Sequence, residues 1–154
     1  MKKILVFLAF ASALTAASAQ TGIIKSNIPD GADPAAIDIE FLPTDAVVLP
    51  GGDIQIGVAP RGKVKNIGTK PYMPGGSPLN IVIYQLKNGK FEVVKTTQVN
   101  VLQAGATSTI DFYTTYIKGK EQPPTFKLEV RSVNANVPNP DVNMNNNRRE
   151  EKAN

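Results

Sequence analysis

Residues 125–133 read Thr-Phe-Lys-Leu-Glu-Val-Arg-Ser-Val. Phe126, Leu128 and Val130 alternate with Lys127, Glu129 and Arg131. Side chains two apart in an extended chain share a face, so one face is apolar and the other charged. The stretch predicts a strand central to a sheet, continuing toward Val133. Upstream, Ile110, Phe112, Thr114 and Tyr116 share one parity and Asp111, Tyr113 and Thr115 the other, with Gln103-Ala104-Gly105 as the turn before them and residues 118–124 as a loop after them. Leu79 to Leu86 is rich in β-branched residues, and Asn88-Gly89 follows. Both residues tolerate positive φ, which a tight type I′ hairpin requires. The return strand carries Phe91 and Val93, then Val99 and Val101, and the polar Lys95 and Thr97 between them predict a bend or a crossing between sheets.

The N-terminal half repeats the pattern. Ile37-Asp-Ile-Glu-Phe41 alternates, Pro43 ends that strand, residues 46–49 form a short extended piece, and Pro50-Gly51-Gly52 makes a turn. Ile54, Ile56 and Val58 alternate next, and Pro60 interrupts the ladder before Lys63-Val64-Lys65, implying a bulge or an edge position. Residues 69–78 hold three Pro and two Gly and read as a loop whose large apolar side chains are Tyr72 and Met73. About seven short strands, with turn signals between them and no helical periodicity, predict an all-β antiparallel sandwich over 37–147. An extended segment over 20–36 precedes it and a flexible tail over 148–154 follows.

The first 19 residues predict export. Lys2 and Lys3 precede an apolar run from Ile4 to Leu14, and Ala17-Ser18-Ala19 supplies small residues for cleavage before Gln20. The run is short of the roughly 20 residues that span a bilayer. No Cys follows, so lipid attachment at a cysteine is excluded and the expected location is the periplasm or the medium, with no membrane span after cleavage.

The chain has no Cys, no His and no Trp. Disulfides, thiolate nucleophiles, imidazole bases and Cys/His zinc sites are therefore excluded. Formal charge is +4, unevenly spread: residues 20–60 set Lys25 against six carboxylates, whereas residues 61–131 carry eleven basic and four acidic residues. Either the N-terminal segment lies across the basic body as an edge strand, or the basic face meets an acidic envelope polymer; the simpler reading is solvated charges alternating with core residues. Nucleic-acid binding is not expected.

Three pieces in order resemble the CARDB family, the cell-adhesion-related domain found in bacteria. They are Val64-Lys-Asn-Ile-Gly-Thr69, similar to a strand ending in an Asn-x-Gly turn; Leu102-Gln-Ala-Gly-Ala-Thr107 with Thr109-Ile-Asp-Phe112 after it; and the Phe126–Val133 strand leading into the Asn-rich 143–147. The resemblance implies an immunoglobulin-like or fibronectin-like sandwich used as a spacer or binding module in exported bacterial proteins. Independently of it, Asn66, Gly68 and Gly105 suit left-handed backbone and Leu102 an apolar plug beneath its turn. Asp141-x-Asn143-x-Asn145 mimics the start of a calcium loop, but its sixth position is not Gly and its twelfth is Lys152, so no metal or other cofactor is expected.

No carboxylate pair, nucleophile elbow or phosphate loop stands out, and the expectation is a non-enzymatic binding module. Its contact residues are placed at Tyr72 and Met73, with Lys118 and Lys120 as the basic neighbour, against another envelope or extracellular protein, through loops or a strand edge. Two alternatives stand beside it. One is a carbohydrate-binding module using Tyr72, Tyr113 and Tyr116, with a glycan as ligand; the other is a protease inhibitor presenting the loops 69–78 and 118–124.

Overall fold

The computed structural model describes residues 30–73, 78–133 and 141–154. The expected signal at 1–19, the segment 20–29 and the middle of the 69–78 loop lie outside the described residues. Strands β1 (Pro34–Leu42), β2 (Ala46–Val48), β3 (Ile54–Asn66), β6 (Thr107–Asp111) and β7 (Thr114–Ile117) form one sheet. Strands β4 (Leu79–Lys87), β5 (Lys90–Val99), β8 (Thr125–Ser132) and β9 (Arg148–Lys152) form the other, in the order β5-β4-β8-β9. All their pairings are antiparallel. Between the sheets lies a core that includes Ile39, Val58, Val64, Leu79, Ile81, Ile83, Ile110, Phe126 and Leu128. Phe126 meets Phe41 and Phe112 at ring-centroid distances of 6.0 and 6.4 Å. The protein is thus an antiparallel β-sandwich.

β3 organises the first sheet. Its even-numbered residues from Val58 to Asn66 face the core, and the even-numbered backbone groups bond toward β6 and β7; its odd-numbered residues bond toward β1 and β2. Pro60 lies in the middle of this central strand, not at an edge or bulge as the sequence implies. Its carbonyl accepts the Phe112 N–H (3.0 Å), but it has no N–H to return. The neighbouring strand breaks there, between β6 and β7, and on the other side the chain breaks at Pro43 between β1 and β2. Counting each interrupted strand as one leaves seven.

Elsewhere the alternation holds, with local corrections. Ile37 is a bulge residue, because register slips between Ala36 and Asp38. The Asn88-Gly89 hairpin has φ of 51° and 75°, as a type I′ turn needs. β5 stays in one sheet through Lys95 and Thr97, and its irregularity is a bulge opposite Ile83/Tyr84, not a crossing. The stretch expected to fray at the C terminus is strand β9: it pairs with β8 from Arg148 to Lys152, and Ala153 N–H bonds Pro124 C=O at 3.0 Å with its side chain buried.

Part of the charge asymmetry is matched within the sheet. On the outer face of the sheet Lys63 pairs with Glu40 and, at 3.6 Å, with Asp38, so acidic β1 lies beside basic β3. Arg61 grips Asp111 through two bonds of 2.8 Å, which holds the Asp111 carboxyl below its usual range. Among the described residues no helix is long and apolar enough to cross a membrane.

Candidate functional site

The chain brings its buried polar groups together at the Asn66 end of β3. The Asn66 side chain is fully buried and fully bonded: Oδ1 accepts the N–H groups of Asp33 (2.9 Å) and Gly68 (3.2 Å), and Nδ2 donates to the carbonyls of Lys70 (2.8 Å) and Leu102 (2.9 Å). One amide therefore ties three loops to the end of one strand. The left-handed backbone expected at Asn66 and Gly68 is not present at either. Gly68 is required for close approach instead, since a Cβ there would strike the Gly31 carbonyl oxygen.

Beneath this hub Ala32 bridges Asp141, so the entry to β1 meets the segment that precedes β9. Asp33 and Asp141 are both buried. Asn146 Nδ2 donates to Asp33 Oδ1 (2.8 Å), and Asn147 Nδ2 donates to Asp141 Oδ2 (2.7 Å). Burial pushes the Asp141 carboxyl up, opposed by its bonds from Asn147 and from the Asn143 N–H, and the Asp33 charge adds to the rise. Among the described residues no three His, Cys, Asp or Glu side chains gather into a metal-binding group.

Of the residues expected to bind a partner, Tyr72 is excluded by its position. It is 0% exposed, belongs to the core and exchanges backbone bonds with Leu102 (2.8 and 3.1 Å). A proline-rich flank does not display a side chain when the backbone on either side is bridged to a neighbour. Burial, and then the Asp141 charge, push its phenol up to about 12. Met73, the next residue, is 63% exposed.

Lys118 and Lys120 are exposed but are not neighbours of that loop. Lys118 N–H bonds Ile54 C=O (2.9 Å), at the opposite end of β3, roughly 40 Å of strand from Asn66 at ~3.3 Å per residue. Lys120 is held by Asp53 at 2.6 Å. The Ile54 end is more open. Val47, Val48 and Ile54 are exposed there, and a cleft of about 650 Å³ opens between the β4–β5 hairpin, β7 and the 121–125 loop, lined in part by Leu86, Thr114, Tyr116, Pro123 and Lys152. Tyr113 is 60% exposed on the outer face, its hydroxyl above Gly57.

The sequence reading missed Asn66 as a hub and missed Asp33 as a buried partner of the Asn-rich segment. An Asn at a strand end followed by Gly signals a turn as strongly as it signals a buried tie, and Asp33 lies more than a hundred residues from its partner.

No family model and no curated protein matches the chain. Among solved structures it is similar to a CARDB domain from Pyrococcus furiosus, described as being in complex with di-metal ions, at 17% identity and a TM-score of 0.53. The similarity covers 81% of this chain and 89% of that one. Two antiparallel sheets, their shared core and this likeness over most of both chains make the protein, in fold, a CARDB-like β-sandwich.

Proposed function

We propose that the chain is an exported, non-catalytic binding module that captures another envelope or extracellular protein by adding that partner's strand to its β6–β7 edge. The observation that carries this reading is the contrast among the sheet edges. β9 is a run of five charged residues, β5 carries Lys90, Lys95 and a bulge, and β1 carries Pro34 and a bulge while packing near β9. Those are devices that stop edges from pairing, and β2, the edge strand beyond β1, is protected by being three residues long. β6 and β7 read Thr-Ser-Thr-Ile-Asp and Thr-Thr-Tyr-Ile, with no Lys and no Pro.

Because Phe112 bonds inward to Pro60, alternation turns the backbone groups of Thr107, Thr109, Asp111, Tyr113 and Thr115 outward. Among the described residues no strand pairs with them on that side. An extended peptide laid there would gain main-chain bonds, and the cleft beside Thr114 and Tyr116 offers room for its side chains. Lys118 flanks this edge. The sugar-binding alternative loses support because Tyr72 is internal and Tyr116 half-buried, leaving Tyr113 as the exposed platform.

The test is a crosslinking pull-down of envelope fractions with residues 20–154 as bait. One dominant protein is expected, lost in a Thr109→Lys/Thr115→Lys variant of unchanged melting temperature and retained in Met73→Ser. Glycan as the dominant capture, or protein capture that survives the double lysine change, would remove the reading. Export has its own check: expression in a bacterial host should yield an extracytoplasmic chain beginning at Gln20.

A further inference from the structure

The polar cluster at the entry to β1 differs from the Asn66 hub above it in one respect. Every hydrogen-bonding atom of the Asn66 side chain is used. In the cluster, Asp33 Oδ2, Asn146 Oδ1 and Asn147 Oδ1 are buried with no hydrogen-bond donor. Asp33 is 0% exposed and Asn147 8%. Buried polar atoms are nearly always paired, so three orphans in one linked group of side chains call for an account.

The three orphans share a chemistry: all are oxygens, and all accept. Their orientation follows from the carboxylates. Asp33 and Asp141 each need a donor, so Asn146 and Asn147 turn their Nδ2 groups toward them, which leaves each Oδ1 buried without a donor of its own. Flipping either amide would set an oxygen against a carboxylate oxygen. Nor does a basic side chain neutralise Asp33, since no Lys or Arg pairs with it among the described residues. What Asp33 lacks among the described residues is positive charge that bonds to its oxygens.

We propose that Asp33, Asp141, Asn146 and Asn147 bind one hard divalent cation of the calcium class, and that this cation staples the entry of β1 to the turn at Met144–Asn146 and so to edge strand β9. Two carboxylates balance a divalent charge, which suits a buried position. Carboxylate and amide oxygens are the donors calcium takes, whereas magnesium keeps more of its water and fits a dry site less well. The site is not the linear loop suggested by Asp141-x-Asn143-x-Asn145. Asn143 Oδ1 caps the Asn145 N–H (3.4 Å), and Asp141 Oδ1 accepts the Asn143 N–H (3.0 Å), so that motif is occupied in shaping the turn. The ligand set instead joins Asp33 to residues 141–147 and exists only in the folded chain.

The experiment uses the full chain, stripped with EDTA and desalted, and follows heat and melting temperature as CaCl₂ is added, with MgCl₂ and NaCl at matched ionic strength as comparators. One equivalent of calcium is expected, with a Kd between about 10⁻⁵ and 10⁻³ M and a melting temperature raised by about 8–10 °C at a hundredfold excess over Kd. Magnesium should do less and sodium nothing. Asp33→Asn keeps an oxygen for Asn146 Nδ2 and puts an N–H donor in place of the orphan Oδ2. It should abolish the calcium response without lowering the calcium-free melting temperature. No heat and no shift with wild-type protein, the result if ordered water alone fills the cluster, overturns the proposal, as does a calcium response undiminished in the variant. Should Asp33→Asn fail to fold, terbium luminescence excited through tyrosine replaces it, with Tyr72 within electrostatic reach of Asp141. A signal displaced by calcium supports the site; its absence, or indifference to calcium, overturns it.

Discussion

The two ends of β3 are built on opposite principles. At Asn66 the strand runs into loops drawn inward by a buried, fully bonded amide, and the neighbouring Tyr72 and Leu102 are core residues. At Ile54 the same strand leaves apolar side chains in solvent, with Val48 71% exposed, and the adjacent loop is held by the surface pair of Lys120 and Asp53. A buried amide with four bonds fixes the loops it touches, because each broken bond leaves an unsatisfied group that water cannot reach. An exposed ion pair fixes little. The first end is a structural clamp, and the second is free to serve a partner.

The contrast can be broken most severely at the hub. Asn66→Leu removes all four bonds and strands the N–H groups of Asp33 and Gly68 inside the protein, so the cost should reach about 3–5 kcal/mol, read as a loss of midpoint in urea unfolding or as failure to fold. Next come two adjacent residues that the sequence treats alike. Tyr72→Ser should cost about 3–5 kcal/mol by emptying a packed site, while Met73→Ser should stay within about 0.5 kcal/mol; equal effects would mean that the loop is not divided between core and surface.

A smaller effect is set by pH. The Tyr72 phenol titrates at about 12 in the folded chain, above its value of about 10 when unfolded. Its contribution to stability is therefore complete below pH 10 and lost as pH rises toward 12, because the unfolded chain releases the proton first. Tyr72→Phe should flatten that part of the stability-against-pH curve. Smallest of all, Lys120→Ala at the open end should change stability by no more than about 0.5 kcal/mol, and the little it does change should vanish in high salt.

Which parts of this were legible in the sequence follows a physical divide. Alternation exposed β6, β7 and β8, and β-branched content exposed β4, because one or both of their faces must be buried, and Asn88-Gly89 located the hairpin because its backbone needs positive φ. β9 was hidden since an edge strand of Arg-Arg-Glu-Glu-Lys buries almost nothing and carries no apolar period. Ile37 was misread because a bulge shifts register without changing composition. Pro60 looked like an edge residue, yet the partner strand absorbs the missing bond by breaking beside it.

The candidate sites divide the same way. Tyr72 and Met73 are equivalent as neighbours in a Pro/Gly-rich loop, and only the bridge between Tyr72 and Leu102 separates them. Lys118 and Tyr72 look like parts of one binding face until β3 is laid between them. In the calcium-like spacing of the Asn-rich segment the Asp141 and Asn143 side chains accept backbone N–H groups of the turn, while the oxygens left without donors come from Asp33 and from asparagines outside that spacing.

By itself, then, the amino-acid sequence determined the class of fold, the tight hairpin, the inward face of the central strands and the absence of thiol and imidazole chemistry, because these depend on local period, local backbone preference and composition. The tertiary structure alone decided which polar groups are buried together, which strand edge stays unprotected and which of two adjacent loop residues lies inside. Those outcomes depend on chain segments more than a hundred residues apart meeting in space, and no local preference records such a meeting.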